Sequence, residues 1–449
     1  MKTIACKEDS TTTEMSFKNS LELKERFHTA IPGGAHTYAK GDDQFPEFMT
    51  PYITHGQGCH TWDIDNNEFI EYGIGLRSVT LGHAYQPVVE AAYNEMKKGN
   101  NFGRPSVIEL ECAETFLSTI KGAEMVKFGK NGSDATSAAI KLSRAYTGRS
   151  KVAVCADHPF FSVDDWFIGS TPMSAGVPDE IKQLTVKFKY NDLQSVKDLF
   201  DQYAGQIACL IMEAEKEVPP LDNFLHETKK LCNEKGALFI LDEMITGFRW
   251  HIGGAQEYYG VTPDLSTFGK AIGNGFSVSA VAGKREIMEL GGLRQNKERV
   301  FLMSLTHGAE GHCMAAAIAT MNTYKNLPVI DTMWKRGEQL RAGIKKSIDE
   351  YDLGEYVDVV GKPCCMVYIT RDQNKVSSQL FRTLFLQETM KRGILAPSFI
   401  VSYAHSEKDI EQTIQAVHEA LAVYRKAIDN GIENYLIGRP VKPVFRKFV

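Results

Sequence analysis

The chain has 449 residues, of which 43% are hydrophobic and 24% are charged, proportions typical of a globular protein with room for one large domain and a smaller one. Its formal net charge of −5 gives no electrostatic reason to expect a nucleic-acid or anionic-membrane partner, so a small-molecule substrate is favoured. The nine cysteines lack the paired spacing of a metal site, which indicates reduced thiols, no metal centre and a cytoplasmic protein.

The N-terminal part of the chain is polar and rich in turns. Residues 1–15 are charged where a secretory signal would be apolar, so they are interpreted as a polar leader. Residues 58–72 alternate between polar and apolar side chains around Asn66 and Asn67, which predicts a hairpin. Residues 1–65 are assigned to an N-terminal arm and part of a small domain.

The middle of the chain alternates between short β-rich runs and helical patterns. The β-rich runs begin at Met125, Lys151, Gln183, Ile207, Leu238, Asp264 and Val278. This alternation predicts an α/β domain over residues 66–327, built on a mainly parallel sheet of seven strands. The most apolar runs, 206–212 and 237–241, are too short to cross a bilayer and are typical of buried strands, so we expect no membrane span.

The C-terminal part of the chain has a different pattern. From about Pro328 it contains charged helical segments at 331–350, 377–392 and 408–428, with a strand at 366–370. This pattern predicts a second, smaller α+β domain over residues 328–449.

The run KNGSDAT, residues 130–136, lies between a predicted strand and a predicted helix. Free N–H groups and the positive end of the helix dipole at such a point bind phosphate well. Gly132 would allow close backbone approach, and Ser133 would add a hydroxyl donor. The alternative is an ordinary helix cap by Ser133 or Asp134.

In LDEMITGFR, residues 241–249, an apolar strand leads directly into Asp242. The carboxyl ends of parallel strands border a ligand crevice, so a carboxylate here is directed at a site. Pyridoxal phosphate (PLP) needs a carboxylate that keeps its pyridine nitrogen protonated, and Met244 would then pack on the ring. A helix cap or a metal ligand is the alternative role for Asp242, but no histidine or cysteine lies nearby to support a metal.

In TFGKAIGNGF, residues 267–276, Lys270 follows a short strand and has small neighbours. A partly desolvated lysine near a cation can lose its proton and form a Schiff base with an aldehyde cofactor. Considered alone, Lys270 would be interpreted as a surface lysine. Asp242 on a neighbouring predicted strand favours the cofactor role instead.

The aromatic run DHPFFSVDDWF, residues 157–167, follows another strand. Phe160 is the candidate for a ring that stacks on the pyridine and excludes water. The alternative is that the two adjacent phenylalanines are a core pair.

These motifs together resemble the class III aminotransferases of fold type I, in particular the branch that contains glutamate-1-semialdehyde aminomutase. The resemblance covers nearly the whole chain. Its motifs are IPGG at Ile31, TWDIDNNEFIEY at Thr61, LGHA at Leu81, KNGSDATSAAIKLSRAYTGR at Lys130, LDEMITGFR at Leu241, FGKAIGNGFSVSAVAGK at Phe268 and SLTHGAEGHCMAAA at Ser304.

The resemblance implies roles for the residues that match the family motifs. Lys270 is expected to hold PLP as a Schiff base, Asp242 to pair with the pyridine nitrogen, and Gly132 and Ser133 to bind the phosphate. These roles agree with the chemistry of the same residues considered without the family.

The resemblance also implies a homodimer. Thr306 matches a residue that family members contribute to the phosphate across the subunit interface, so a monomer would have an incomplete site. Glu213 matches a strand-end glutamate near the cofactor, although Ala214 stands where a proline is usual.

The chain departs from the family pattern mainly where the aminomutase binds its substrate. Lys40 stands where the aminomutase has a carboxylate-binding arginine, and a lysine cannot make the same two-pronged contact. Leu76 replaces a tryptophan, and Arg77 beside it is an additional cation that could bind an anion. The alternatives are a solvated Lys40 and an Arg77 in a structural salt bridge.

We interpret the chain as a transaminase that works in two half-reactions. It is expected to move an amino group from an amino donor, with an amino acid as the expected class, to a small carbonyl acceptor in a biosynthetic reaction. An intramolecular glutamate-1-semialdehyde aminomutase is the first alternative, and Lys40 and Leu76 argue against it. A non-catalytic binding protein is the second, and the presence of both Asp242 and Lys270 argues against that.

Overall fold

The computed structural model describes residues 15–448. The predicted leader, apart from Met15, and Cys6 lie outside the described residues. Within that range no helix combines the length and the apolar character needed to pass through a membrane. The eight cysteines of this range are free thiols, and all of them are buried.

A small antiparallel sheet forms in the N-terminal part. Its strands β1 (Ile53–Gln57), β2 (His60–Asp63) and β3 (Glu68–Glu71) pair in chain order. Between β2 and β3, Asn66 takes a φ of 63°, a left-handed conformation that asparagine tolerates. The Asp63 carboxylate accepts the backbone N–H of Asn67 at 2.8 Å and closes the turn. The predicted hairpin is confirmed.

The seven strands predicted for the middle of the chain form one sheet. They are β4 (Met125–Gly129), β5 (Lys151–Cys155), β6 (Thr185–Phe188), β7 (Ile207–Glu213), β8 (Leu238–Asp242), β9 (Leu265–Phe268) and β10 (Ser279–Gly283). Their order is β4-β10-β9-β8-β7-β5-β6, and only β10 runs antiparallel to its two neighbours. The predicted α/β fold with a mainly parallel sheet is confirmed.

Both faces of this sheet are covered. Successive residues of β7 point to opposite faces, and they fall into two core clusters: Leu210 and Met212 in one, Cys209 and Ile211 in the other. All residues of β7 and β8 are buried, which explains why these strands are continuous apolar runs.

The helices of the described residues are α1 (Lys18–Ala30), α2 (Ile74–Arg77), α3 (Gln86–Met96), α4 (Val107–Leu117), α5 (Gly132–Thr147), α6 (Asp165–Ile168), α7 (Asp179–Lys182), α8 (Leu193–Gln202), α9 (Phe224–Lys235), α10 (Ala255–Tyr258), α11 (Arg285–Met288), α12 (Gly311–Asn326), α13 (Val329–Glu350), α14 (Gln379–Met390) and α15 (Glu407–Asn430). The three long helices predicted after Pro328 correspond to α13, α14 and α15. Helix α5 packs against several central strands and places its first turn at the end of β4.

The C-terminal part contains a three-stranded sheet in the order β11 (Val357–Lys362), β12 (Cys365–Thr370) and β14 (Phe399–Ile400). Strand β13 (Ile394–Leu395) instead pairs with β3 in parallel. The Tyr72 hydroxyl, directly after β3, donates to Thr413 of α15 at 2.8 Å. Strand β3 and Tyr72 therefore contact the C-terminal part, although they follow residue 65 and so fall in the range assigned to the large domain. The domain boundaries at residues 65 and 327 stay predictions.

Candidate functional site

The predicted lysine and two predicted carboxylates lie at the carboxyl ends of neighbouring central strands. Glu213 ends β7, Asp242 ends β8, and the two residues are direct partners in the parallel register. Lys270 follows β9 by two residues, and Thr267 of β9 is the register partner of Asp242. Lys270 has a φ of 46°, so its backbone lies in the left-handed region that is unfavourable for a side-chain-bearing residue.

Asp242 is buried and only one of its oxygens is engaged. Burial raises the pKa of its carboxyl to about 6, against the opposing effects of the Lys270 charge and of two hydrogen bonds. Those bonds come from the Met244 N–H at 3.0 Å and the Thr267 hydroxyl at 3.1 Å, and both end on Oδ1. Among residues 15–448, no hydrogen bond reaches Oδ2, so that oxygen can accept one from a ligand.

The raised pKa of Asp242 predicts a pH-dependent stability in the cofactor-free protein. A carboxyl group that binds its proton more tightly in the folded state costs stability as the pH rises from about 4 to about 6. We expect the apoprotein of Asp242→Asn to exceed the wild-type apoprotein in free energy of unfolding by roughly 3 kcal/mol at pH 8. Urea unfolding at pH 8 and at pH 4 measures this difference, which should vanish at the lower pH. A gain that is equal at both values would contradict the assignment.

Lys270 lies where its ammonium form is disfavoured. Burial lowers the pKa of the Lys270 amine, the negative charges of Asp242 and Glu213 oppose that effect, and Arg77 and Arg249 reinforce it. An amine with a lowered pKa can lose its proton and act as a nucleophile or a base.

Glu213 is a second buried carboxyl in the site. Burial first, and then the charge of Asp242, raise the pKa of Glu213 above its ordinary value. Its Oε2 atom is buried and has no hydrogen-bond partner among the described residues. Its N–H donates to Nδ1 of His158 at 3.0 Å, and burial lowers the pKa of that imidazole to about 3. His158 is therefore neutral and holds the end of β7 in place.

The start of α5 has the properties expected of a phosphate site. The helix cap is Asn131, whose side chain accepts the Asp134 N–H, while Asp134 completes a capping box. The alternative cap by Ser133 or Asp134 is therefore wrong. Gly132 and Ser133 are the first two residues of the helix, so their N–H groups have no acceptor within it. The Ser133 Oγ accepts the Val163 N–H at 3.0 Å, which leaves its own hydroxyl proton free to be donated.

Met244 lies between the phosphate turn and the lysine turn. A Cβ atom at Gly132 would come within 3.1 Å of the Met244 Sδ, and one at Gly269 within 2.7 Å. A side chain at Gly269 would therefore displace the Met244 thioether, and one at Gly132 would press against it. Packing of Met244 on a cofactor ring stays a prediction.

The two adjacent phenylalanines have different environments. Phe161 is 2% exposed and its ring lies 5.6 Å from that of Phe167, so the core alternative applies to Phe161. Phe160 is 44% exposed and contacts Phe167 edge-on at 5.8 Å. Phe160 is therefore not part of the core, and its role as a ring that stacks on the cofactor stays a prediction.

Two predicted residues are not brought to the carboxylates within one chain. Thr306 is exposed, and its carbonyl accepts the Asn101 amide at 3.0 Å. Lys40 is exposed on a short 3-10 turn, residues 38–40. In the described part of the chain, neither side chain has a hydrogen bond or ion pair with Asp242 or Lys270.

Three residues of the site were not predicted from the sequence: Thr267, His158 and Arg249. Thr267 begins the quoted run TFGKAIGNGF, but only the pairing of β8 with β9 shows that it lies opposite Asp242. His158 lies in the quoted run DHPFF, but nothing in that run indicates its contact with Glu213. Arg249 is fully buried. An arginine that follows a glycine-containing turn is ordinarily exposed, so its burial gives no signal in the sequence.

The sequence profile described as aminotransferase class III matches residues 38–421. The chain belongs to the class III aminotransferases. Among curated members, the chain is 35% identical to a glutamate-1-semialdehyde 2,1-aminomutase of Acetivibrio thermocellus, over 90% of this chain and 97% of the relative. It is 33% identical to the protein of that name from Sulfurihydrogenibium azorense, over 90% of this chain and 100% of the relative.

A solved structure supports the same assignment. The PLP internal aldimine form of the FumI protein from Sphingopyxis sp. MTA144 matches with a TM-score of 0.84 and 26% identity, over 92% of this chain and 98% of that one. The predictions of a class III aminotransferase, of fold type I and of PLP as the cofactor are thus confirmed.

Proposed function

We propose that this class III aminotransferase transfers an amino group from an amino donor, with an amino acid as the expected class, to a small carbonyl acceptor in a biosynthetic reaction. The observation that carries the proposal is the arrangement of Lys270 beside Asp242, whose Oδ2 has no hydrogen bond among the described residues. A cytoplasmic location belongs to the same proposal, because the described cysteines are free thiols.

The residues of the site match what PLP requires. Lys270 would hold the cofactor through a covalent bond at Nζ, and the Asp242 Oδ2 would accept a hydrogen bond from the ring nitrogen. The N–H groups at the start of α5 and the Ser133 hydroxyl would bind the phosphate. Phe160 would cover one face of the ring. When bound, PLP supplies an electron-withdrawing ring that stabilises negative charge on the substrate carbon next to nitrogen.

The protein's own part in the reaction is to move one proton and to control charge. Once the substrate amine has replaced it, the Lys270 Nζ is free, and its lowered pKa makes it a base that can take a proton from the substrate carbon. The same Nζ can deliver that proton to a neighbouring carbon. The Asp242 carboxylate would hold the proton of the ring nitrogen in place.

An intramolecular glutamate-1-semialdehyde aminomutase is the second candidate, and the names of the curated relatives favour it. Two sequence features favour the intermolecular reaction instead. Lys40 stands in place of a carboxylate-binding arginine, and Leu76 in place of a tryptophan. A lysine cannot form the bidentate contact that an arginine makes with a carboxylate.

The two candidates differ in their need for an amino donor. Glutamate 1-semialdehyde is supplied to the purified holoenzyme with and without glutamate or alanine, and 5-aminolevulinate is measured. We expect little 5-aminolevulinate without a donor, and conversion of the cofactor absorbance to that of pyridoxamine phosphate when a donor is added alone. Rapid donor-free formation of 5-aminolevulinate would establish the aminomutase instead.

We also propose a homodimer in which Thr306 of each protomer contacts the phosphate held by the other. The exposure of Thr306 within one chain leaves it available for such a contact. Thr306→Ala is expected to weaken PLP binding by about tenfold, as for the loss of one hydrogen bond to a charged group. Cofactor titration of the apoprotein measures this, with sedimentation to verify the dimer. Thr332→Ala, in α13, is the control, and a monomeric wild type would contradict the proposal.

A further inference from the structure

Helix α2 is a single turn of left-handed backbone. Ile74, Gly75, Leu76 and Arg77 have φ values of 43°, 55°, 56° and 73°. Only the glycine adopts such a conformation without strain, so three of the four residues are held in an unfavourable region. Strain of this kind persists only where surrounding contacts fix the backbone.

The contacts that fix this turn are well defined. The Glu71 Oε1 accepts the Ile74 N–H at 2.6 Å, and the Gly73 carbonyl accepts the Arg77 N–H at 2.9 Å. The Arg77 carbonyl accepts a hydrogen bond from the Nη2 of Arg249, which is itself fully buried. The position of Arg77 is therefore determined by the fold on both sides of the turn.

The segment after the turn is attached to the loop that carries Lys270. The Asn274 Oδ1 accepts the Leu81 N–H at 2.8 Å, and the Asn274 side-chain amide donates to the Gly82 carbonyl at 3.2 Å. The positive charge of Arg77 is close enough to contribute to lowering the pKa of both Glu213 and Lys270. The turn thus places a cation beside the reacting lysine.

Arg77 has no anionic partner within residues 15–448. Its side chain forms no ion pair there, and its buried Nε has no hydrogen-bond acceptor. The structural salt bridge that the sequence left open as its alternative role is therefore absent from the described residues. A guanidinium group presents paired N–H donors that match the oxygens of a carboxylate or a phosphate.

We propose that Arg77 is a specificity-determining residue that binds an anionic group, a carboxylate or a phosphate, on the substrate of this enzyme. This inference rests on the proposed aminotransferase function, because it concerns the substrate of the same site. The substrate then carries the anion in addition to the amine or carbonyl that reacts. The hydrogen bonds around the left-handed turn fix the Arg77 backbone before a ligand binds, so its ordering adds no entropy cost to binding.

The test uses the holoenzyme and three small probes: succinate, its neutral analogue succinamide of the same size, and inorganic phosphate. Each is titrated at constant ionic strength while the absorbance of the lysine-bound cofactor is followed. We expect the wild type to bind one of the two anions more tightly than succinamide, and the anion that binds identifies the chemical class. Arg77→Gln should weaken that binding about 10- to 100-fold, and Arg77→Lys should restore part of it.

The control is Arg26→Gln, an exposed arginine of α1, which should bind all probes as the wild type does. Equal anion affinities in the wild type and in Arg77→Gln would overturn the inference. So would an Arg77→Gln variant that loses as much affinity for the neutral succinamide as for the anion. A separate panel of amino donors tests the proposed function. If the wild type converts a donor but substitution of Arg77 does not change anion binding, only the inference about Arg77 fails. If no donor is converted, the proposed aminotransferase function fails, and the inference that rests on it fails as well.

Discussion

Replacing Lys270 with alanine is expected to abolish the absorbance band of the lysine-bound cofactor and to lower kcat by more than about 1,000-fold. The variant loses both the amine that bonds to the cofactor and the base that moves the substrate proton. Spectroscopy of the reconstituted protein and steady-state kinetics measure the two effects.

The control for this variant is Lys345→Ala, an exposed lysine of α13, which should leave both spectrum and rate unchanged. Because burial disfavours the ammonium form of Lys270, we expect the Lys270→Ala variant to remain folded. An unaltered cofactor spectrum in Lys270→Ala would refute the assignment of this residue.

Asp242→Asn is expected to lower kcat by about 100- to 1,000-fold, since the amide carries no charge to keep the ring nitrogen protonated. The amide oxygen can still accept the hydrogen bonds from the Met244 N–H and the Thr267 hydroxyl, so the end of β8 should keep its geometry. The loss should therefore be in the rate of proton transfer rather than in cofactor binding. Single-turnover kinetics with a deuterated amino donor measure that step.

Asp349→Asn, an exposed aspartate of α13, is the matched control. A full rate in Asp242→Asn would show that the carboxylate does not set the charge of the ring. Loss of PLP from the variant, with the rate restored by excess cofactor, would likewise show that Asp242 acts in binding alone.

The sequence predicted the central sheet because its local signals agree with its tertiary environment. Strands β7 and β8 are buried on both faces, so they are continuous apolar runs that alternate with helical patterns. Asp242 and Lys270 followed from the same reasoning, since each lies directly after such a strand. Parallel strands bring their carboxyl ends to one edge of the sheet, so residues far apart in the chain meet there.

Other features depend on contacts between distant residues and leave no local signal. The left-handed turn at Arg77 is stabilised by Arg249, 172 residues further along the chain. The choice between Phe160 and Phe161 depends on burial, because both rings contact Phe167 but only Phe161 is enclosed by the core. Asn131 rather than Ser133 caps α5, a difference of two residues that composition alone does not resolve.

The sequence by itself determined the family, the sheet and the positions of the two residues proposed for the chemistry, because periodicity, strand ends and motifs can be read directly along the chain. Only the tertiary structure decided, for residues 15–448, which oxygen of Asp242 is free and that the Oε2 atom of neighbouring Glu213 has no hydrogen bond. It also showed that Arg77 lies in a strained turn without an anionic partner among those residues. Burial and hydrogen-bond pairing set these properties, and both arise from elements that meet only when the chain is folded.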